Sequence, residues 1–199
     1  MSAGGGKTGT DPLPGGAEKT REPALPEADD HRITQNGGRL EQWVIGRLRE
    51  SGRTVSTAES CTGGLLAHRL TNVPGASEVF TRGYVTYSNA AKISDLGVLE
   101  DLIRGHGAVS EPVALAMAEG CLAKSGSDLA LAVTGIAGPG GGTREKPVGT
   151  VFIALAQKGN PSACRGFLFS GERETFKQLA AQAALDMLRR ELLAVDNAG

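Results

Sequence analysis

No long apolar run occurs in this sequence. Its longest apolar stretches fall well short of the roughly 18 residues a membrane-spanning helix needs, and its first residues carry no apolar segment of the secretory kind. An excess of one charge is also lacking. The 199 residues hold 21 basic and 22 acidic side chains, net −1, with a pI near 6.3. No global basic field therefore recruits nucleic acid or an anionic membrane. Cysteine is scarce: Cys61, Cys121 and Cys164 are far apart and odd in number. They form no CxxC pair, no Cys/His spacing of a zinc site and no even disulfide framework. Together these absences point to a cytoplasmic protein with reduced thiols, no metal centre, and neither nucleic acid nor membrane as a partner.

What is present divides into two parts. Residues 1–38 contain eight Gly and four Pro, and their large apolar side chains are only Met1, Leu13, Leu25 and Ile33. Such a segment buries too little surface to offset chain entropy and is expected to be a disordered tail. Residues 39–195 read as one folded domain. Leu40, Trp43, Val44 and Leu48 recur at helical spacing, and Ser51-Gly52 ends that helix. Strand-like runs follow at Thr54–Ala58, Val79–Tyr87 and Asp128–Val133, the last apolar enough to be covered on both faces. Helices are expected over Leu65–Leu70, from a Ser88 cap to about Asp95, over Leu99–Ile103, and from a Ser110 cap through Leu122. Val148–Ala156 and Arg165–Phe169 read as a hairpin joined by the link Gln157–Pro161. Phe176, Leu179, Ala183, Met187 and Leu192 mark a final long helix. Strands alternating with helices, plus one hairpin, predict an α/β fold: a three-layer α/β/α sandwich with a mixed, mostly parallel sheet.

Three of the strands end in polar or glycine-rich turns: Ser60, Tyr87-Ser88-Asn89 and Thr134-Gly135. Ligands of open α/β sheets collect outside the carboxyl ends of parallel strands, so these turns converge if the strands are neighbours. Ser60 precedes a helix whose first turn includes Thr62, Gly63 and Gly64, where unpaired N–H groups can bind an oxyanion or phosphate. Ser60 or Thr62 could equally be a simple helix cap. Cys61 is the rival nucleophile, or a buried packing residue. The surroundings are not those of a G-x-S-x-G elbow, because Ala58 and Thr62 hold the outer positions. A serine needs a base. His31 lies in the tail, His68 in a helix and His106 in a loop, so a histidine could serve only through folding that sequence does not reveal. Lys92 is the better candidate: in the first turn of a helix, burial and the dipole both favour its neutral amine. It could also be a solvated helix lysine. Tyr87 could be a core residue with a bonded hydroxyl. The stretch "TGIAGPGGGTREKPVGT" is neither a Walker loop nor G-x-G-x-x-G. Its glycines, Gly140 and Gly141 among them, can let backbone N–H groups approach a phosphate, and Arg144 could clamp an anion, or the loop could simply be flexible.

Five stretches occur in order: "AESCTGG", "GYVTYSNAAK", "GHGAVSEPVALAMAEG", "TGIAGPGGG" and "KPVGTVFIAL". Together they resemble the CinA C-terminal domain family, the nicotinamide-nucleotide amidohydrolases (NMN deamidases, PncC), from about Arg39 to Leu193. The resemblance implies a cytoplasmic serine amidase, without metal or cofactor, that hydrolyses nicotinamide mononucleotide to nicotinate mononucleotide and ammonia in pyridine nucleotide salvage. It implies Ser60 as nucleophile, with Tyr87 and Lys92 as supporting hydroxyl and base. Thr62, Gly63, Gly64, Thr134, Gly135, Gly140, Gly141 and Arg144 are the expected substrate-binding positions. Many members carry a molybdopterin-binding-like domain ahead of this one, and here only the 38-residue tail stands there. Homo-oligomers are plausible for such a domain. The alternatives are a non-catalytic nucleotide-binding regulatory domain or an amidase for another amide.

Overall fold

In Leu129-Ala130-Leu131-Ala132-Val133 large and small side chains alternate, and this period of two assigns each to one side of a sheet. The structure, a computed structural model, describes Met1 and residues 40–196. The predicted tail, with His31, lies outside the described residues. Among them a five-stranded mixed sheet forms from β1 (Val55–Glu59), β2 (Phe80–Val85), β3 (Leu129–Gly135), β4 (Thr150–Gln157) and β5 (Asn160–Leu168). The spatial order is β2-β1-β3-β4-β5. β1 pairs parallel to β2 and β3, and β4 pairs antiparallel to β3 and to β5. Four strands thus run one way and β4 alone runs the other.

The helices are α1 (Leu40–Glu50), α2 (Leu65–Thr71), α3 (Asn89–Leu96), α4 (Glu100–His106), α5 (Glu111–Ser125) and α6 (Arg173–Asp196), with a 3₁₀ turn at Ala76–Glu78. They divide between two cores, one on each face of the sheet. Leu129, Leu131, Val133 and Ile153 face α1, α2 and α6. Ala58, Ala130, Ala132, Ala154 and Ala156 face α3, α4 and α5. Small residues thus line the face packed by α5, and larger branched ones the face packed by α6. This is the expected three-layer sandwich. Among the described residues no helix is long and apolar enough to cross a membrane.

Two local expectations are revised. β5 begins at Asn160 rather than Arg165, so the hairpin turn is only Lys158-Gly159. Pro161 argued against a strand, yet β5 is an edge strand, where a missing N–H costs no ladder bond. Ser88 caps α3 as expected, its Oγ accepting from the Ala91 N–H at 3.0 Å. Ser110 stands at the N-cap of α5 but makes no side-chain cap; its Oγ donates to the Gly107 carbonyl at 2.9 Å.

One contact fixes α3, the helix that carries Lys92. At Gly120 of α5 an added Cβ would lie 1.9 Å from the Leu96 carbonyl oxygen, the last residue of α3. Backbone cannot give way there as a flexible side chain can. Gly120→Ala is therefore expected to destabilise the fold by about 1–3 kcal/mol, lowering the melting temperature by roughly 2–4 °C per kcal/mol in a domain of this size. An unchanged thermal melt would show that α3 has slack against α5.

Candidate active site

The carboxyl ends of β1, β2 and β3 do converge. β1 lies between the other two, and the chain leaving it stays tied to both. The Ser60 N–H donates to the Val133 carbonyl of β3 at 2.9 Å, and the Thr86 N–H donates to the Glu59 carbonyl at 2.9 Å. Ser60 is thereby held above the centre of the parallel strands. The turn that follows is sharp: Gly63 and Gly64 take φ of 62° and 97°, and the Gly63 N–H closes back on the Ser60 carbonyl at 3.1 Å.

Lys92 reaches this turn from α3, 32 residues away in sequence, and its Nζ lies 3.0 Å from Ser60 Oγ. Only 1 % of Lys92 is exposed, and 9 % of Ser60. Nζ also donates to the Thr86 carbonyl at 2.8 Å and, at the limit of a hydrogen bond, to the Tyr87 carbonyl at 3.5 Å. Among the described residues no carboxylate pairs with it. Burial holds the Lys92 ammonium below the ordinary 10.5, with Cys61 opposing the shift. The geometry also orients the amine. A neutral amine has two N–H groups and one lone pair. In that neutral form, with the two carbonyls taking the N–H groups, the lone pair is left for the Ser60 hydroxyl, whereas the ammonium donates to Ser60 Oγ.

Cys61 sits next in sequence but turns into the core beneath α6, 5 % exposed. Burial pushes its thiol up to about 12, so it is protonated at neutral pH and does not have the thiolate that nucleophilic attack requires. Cys61→Ala is accordingly expected to keep most of any Ser60-dependent activity, with a modest loss of stability from the lost packing. Iodoacetamide at neutral pH should leave Cys61 unlabelled in the folded protein, as read by peptide mass. Rapid labelling with loss of activity would reverse the ranking of Cys61 and Ser60.

The remaining expected positions divide. Thr62 is fully buried with its Oγ1 unpartnered, and so is the Oγ1 of Thr86. The Gly64 N–H already donates to the carboxylate of Glu59 at 3.0 Å. Leu66 and Ala67 do the same at 3.0 and 2.8 Å, so Glu59, wholly buried, occupies the N-terminus of α2. Of the donors in this turn, the Cys61 and Thr62 N–H groups meet no oxygen acceptor among the described residues and lie against the Cys61 thiol. Thr134 is buried beside the site, and its Oγ1 donates to the Ala108 carbonyl at 2.8 Å, tying the α4–α5 loop to β3. Gly135 ends β3 against Phe176 of α6. Gly140, Gly141 and Arg144 lie on the exposed part of the loop between β3 and β4.

Tyr87 approaches Lys92 with its carbonyl, not its hydroxyl. The side chain is 61 % exposed, and its hydroxyl accepts from Arg173 at 2.8 Å. Neither Arg173 nor Glu59 was expected from the sequence. An acid directly before a glycine turn at a helix start is a readable signal for Glu59. Arg173 lies 86 residues from its partner, with nothing local to mark it. Among the described residues no three His, Cys, Asp or Glu side chains come together to hold a metal ion.

The arrangement, a hydroxyl on a sharp strand-to-helix turn against a buried amine, has the parts of a nucleophile and its base. The model of the CinA C-terminal domain matches residues 38–192. A CinA-like protein of Geotalea daltonii is 55 % identical over 162 residues, which cover 81 % of this chain and 39 % of that protein. The chain thus spans about two fifths of the length of such curated relatives. Among solved structures, the competence/damage inducible protein CihA from Agrobacterium tumefaciens superposes with a TM-score of 0.75 at 43 % identity, covering 76 % of this chain and 92 % of that one. A competence-damaged protein (CinA) superfamily protein from Klebsiella pneumoniae gives a TM-score of 0.75 at 35 % identity, covering 78 % and 96 %.

Proposed function

Since the chain belongs to the CinA C-terminal domain family, we propose that it is a serine amidohydrolase that cleaves the carboxamide of nicotinamide mononucleotide, giving nicotinate mononucleotide and ammonia. The observation that supports this most directly is the 3.0 Å approach of a buried, carboxylate-free lysine amine to Ser60 Oγ. Such a pair has no structural need for a lysine, because a buried unpaired ammonium destabilises the fold.

In this reading neutral Lys92 takes the Ser60 proton as Oγ bonds to the carboxamide carbon. The carbonyl π pair moves to oxygen, and the Cys61 and Thr62 N–H groups receive the oxyanion. Donors of this kind are worth roughly 3–4 kcal/mol each where they have been removed. The C–N bond then breaks, and the Lys92 ammonium returns its proton to the departing nitrogen, releasing ammonia and leaving an ester on Ser60. Water attacks that ester with Lys92 again as base, and the acid leaves with Ser60 restored. The cationic pyridinium of the substrate withdraws electrons from the amide and assists both attacks. In this reading the glycine-rich loop between β3 and β4 holds the mononucleotide phosphate.

The test is the purified chain with nicotinamide mononucleotide, read by ammonia and by product mass. Turnover with a one-unit mass gain in the nucleotide supports the proposal. Binding without ammonia would make this a nucleotide-binding module, and faster turnover of another amide in a small panel would reassign the substrate.

A further inference from the structure

Glu59 is a carboxylate in an unexpected place. It ends the central strand β1, in register with Val85 on one side and Val133 on the other, and none of it is exposed. Among the described residues no cation pairs with it. Its oxygens accept from neutral donors: Oε2 from the Gly64 and Leu66 N–H groups, both at 3.0 Å, and Oε1 from the Ala67 N–H at 2.8 Å. The Thr57 hydroxyl adds a bond to Oε1 at the limit of 3.5 Å. Burying a carboxylate is unfavourable even where donors meet it. A Ser, Thr, Asp or Asn at the N-cap would satisfy this helix end with far less desolvation, yet the N-cap is Gly64, which has no side chain to offer.

The segment this carboxylate spans explains why it is there. Ser60 follows Glu59 directly, and the two consecutive left-handed glycines, Gly63 and Gly64, follow Ser60. Such a pair is the least constrained backbone in the chain. Packing does not hold it: a Cβ at Gly63 would meet nothing within 4 Å. The bonds inside the turn are local, Gly63 N–H to the Ser60 carbonyl at 3.1 Å and Leu65 N–H to the Thr62 carbonyl at 3.3 Å. Only the Glu59 carboxylate ties the far side of the turn, and the helix beyond it, back to the strand before Ser60. It closes a ring around the nucleophile.

We infer that Glu59 is a positioning residue: its carboxylate straps the start of α2 to the end of β1 and so fixes the Ser60 turn against Lys92. The inference rests on the amidohydrolase reading for its effect on rate, but not for the strap itself.

The experiment compares wild type, Glu59→Gln, Glu59→Asp and Leu48→Ala, the last a truncation of the core in α1 that leaves the bonds of the turn intact. Glutamine offers one oxygen and turns an NH2 toward an amide donor. Glu59→Gln is expected to lower kcat on nicotinamide mononucleotide about 10- to 100-fold, the cost of misplacing a reacting group by about 1 Å, with KM little changed. Glu59→Asp, one methylene shorter but with both oxygens, should recover part of the rate. Leu48→Ala should melt at a lower temperature and keep the wild-type kcat below its melt, which separates positioning from stability. Labelling of Ser60 by a fluorophosphonate, read by intact mass, is an arm that needs no mononucleotide, and it should slow in Glu59→Gln by a similar factor. A third arm uses wild type alone and so survives a variant that does not fold. Amide hydrogen exchange at Gly64, Leu66 and Ala67 should be slow, although first-turn amides of a helix lack intrahelical partners. Wild-type kcat and labelling in Glu59→Gln, an equal loss of kcat in Leu48→Ala, or rapid exchange of the three amides would overturn the inference. Labelling that depends on Glu59 without ammonia release would uphold the strap and sink the nicotinamide mononucleotide reading alone.

Discussion

Ser60→Ala is expected to lower the rate at saturating nicotinamide mononucleotide by about 10⁴-fold or more, as loss of a nucleophile does when the rest of the machinery cannot replace it. The fold has little reason to respond. The Ser60 contribution to the turn is made by its main chain, through Val133 and Gly63, and alanine keeps both bonds. Lys92 keeps the Thr86 carbonyl as an acceptor. Binding of the mononucleotide should therefore stay near wild type, and the melting temperature should be nearly unchanged. This split, with kcat lost and affinity kept, distinguishes a nucleophile from a cap, because loss of a helix cap costs stability and leaves chemistry alone. If Ser60→Ala turned over at a rate near wild type, the attacking group would have to be a lysine-activated water, and no ester on the enzyme would form.

The sheet and its convergent end were legible because they depend on local pattern. The alternation in Leu129–Val133 and the apolar spacing of α1 and α6 need no knowledge of partners. Three turn signals after three strands became one site by the rule of strand ends. β5 was shortened in the sequence reading because Pro161 and the polar residues around it look like a loop, and only an edge position makes them acceptable.

Ser60 and Lys92 were nameable as candidates in the sequence, and the structure brings them together, but the contacts of their neighbours were not legible. The α2 amides looked like free donors. The structure engages three of the α2 amino-terminal amides with Glu59, a residue inside the same motif to which spacing gave no role. Tyr87 looked like a hydroxyl near the lysine, yet strand direction puts its carbonyl there. Arg173 was invisible because its meaning lies wholly in contacts across the fold, to Gly138 and Tyr87. Side-chain identity is written in the sequence, whereas which atom of a residue faces the site follows from backbone direction.

Lys92→Met is the sharpest test of the base. Methionine keeps much of the length and apolar body of lysine but can neither accept nor deliver a proton. Loss of a general base typically costs about 10²–10⁴ in rate, and binding should change less, since Nζ faces Ser60 and main-chain carbonyls. The wild-type rate should rise with pH through a single limb lying below the ordinary lysine value of 10.5, because only the neutral amine is competent, and this limb should vanish in the variant. Stability supplies an independent sign. A lysine whose folded pKa is lowered binds fewer protons folded than unfolded between that pKa and 10.5, so wild-type stability rises with pH across this window. Lys92→Met has no such group. Its stability relative to wild type should be most favourable near neutral pH and should decline as pH approaches 10.5. A variant that bound nucleotide far more weakly yet kept the saturated rate would make Lys92 an anion clamp. A relative stability that did not change with pH would mean that Lys92 stays charged in the folded protein, and the Ser60 proton would then need another acceptor.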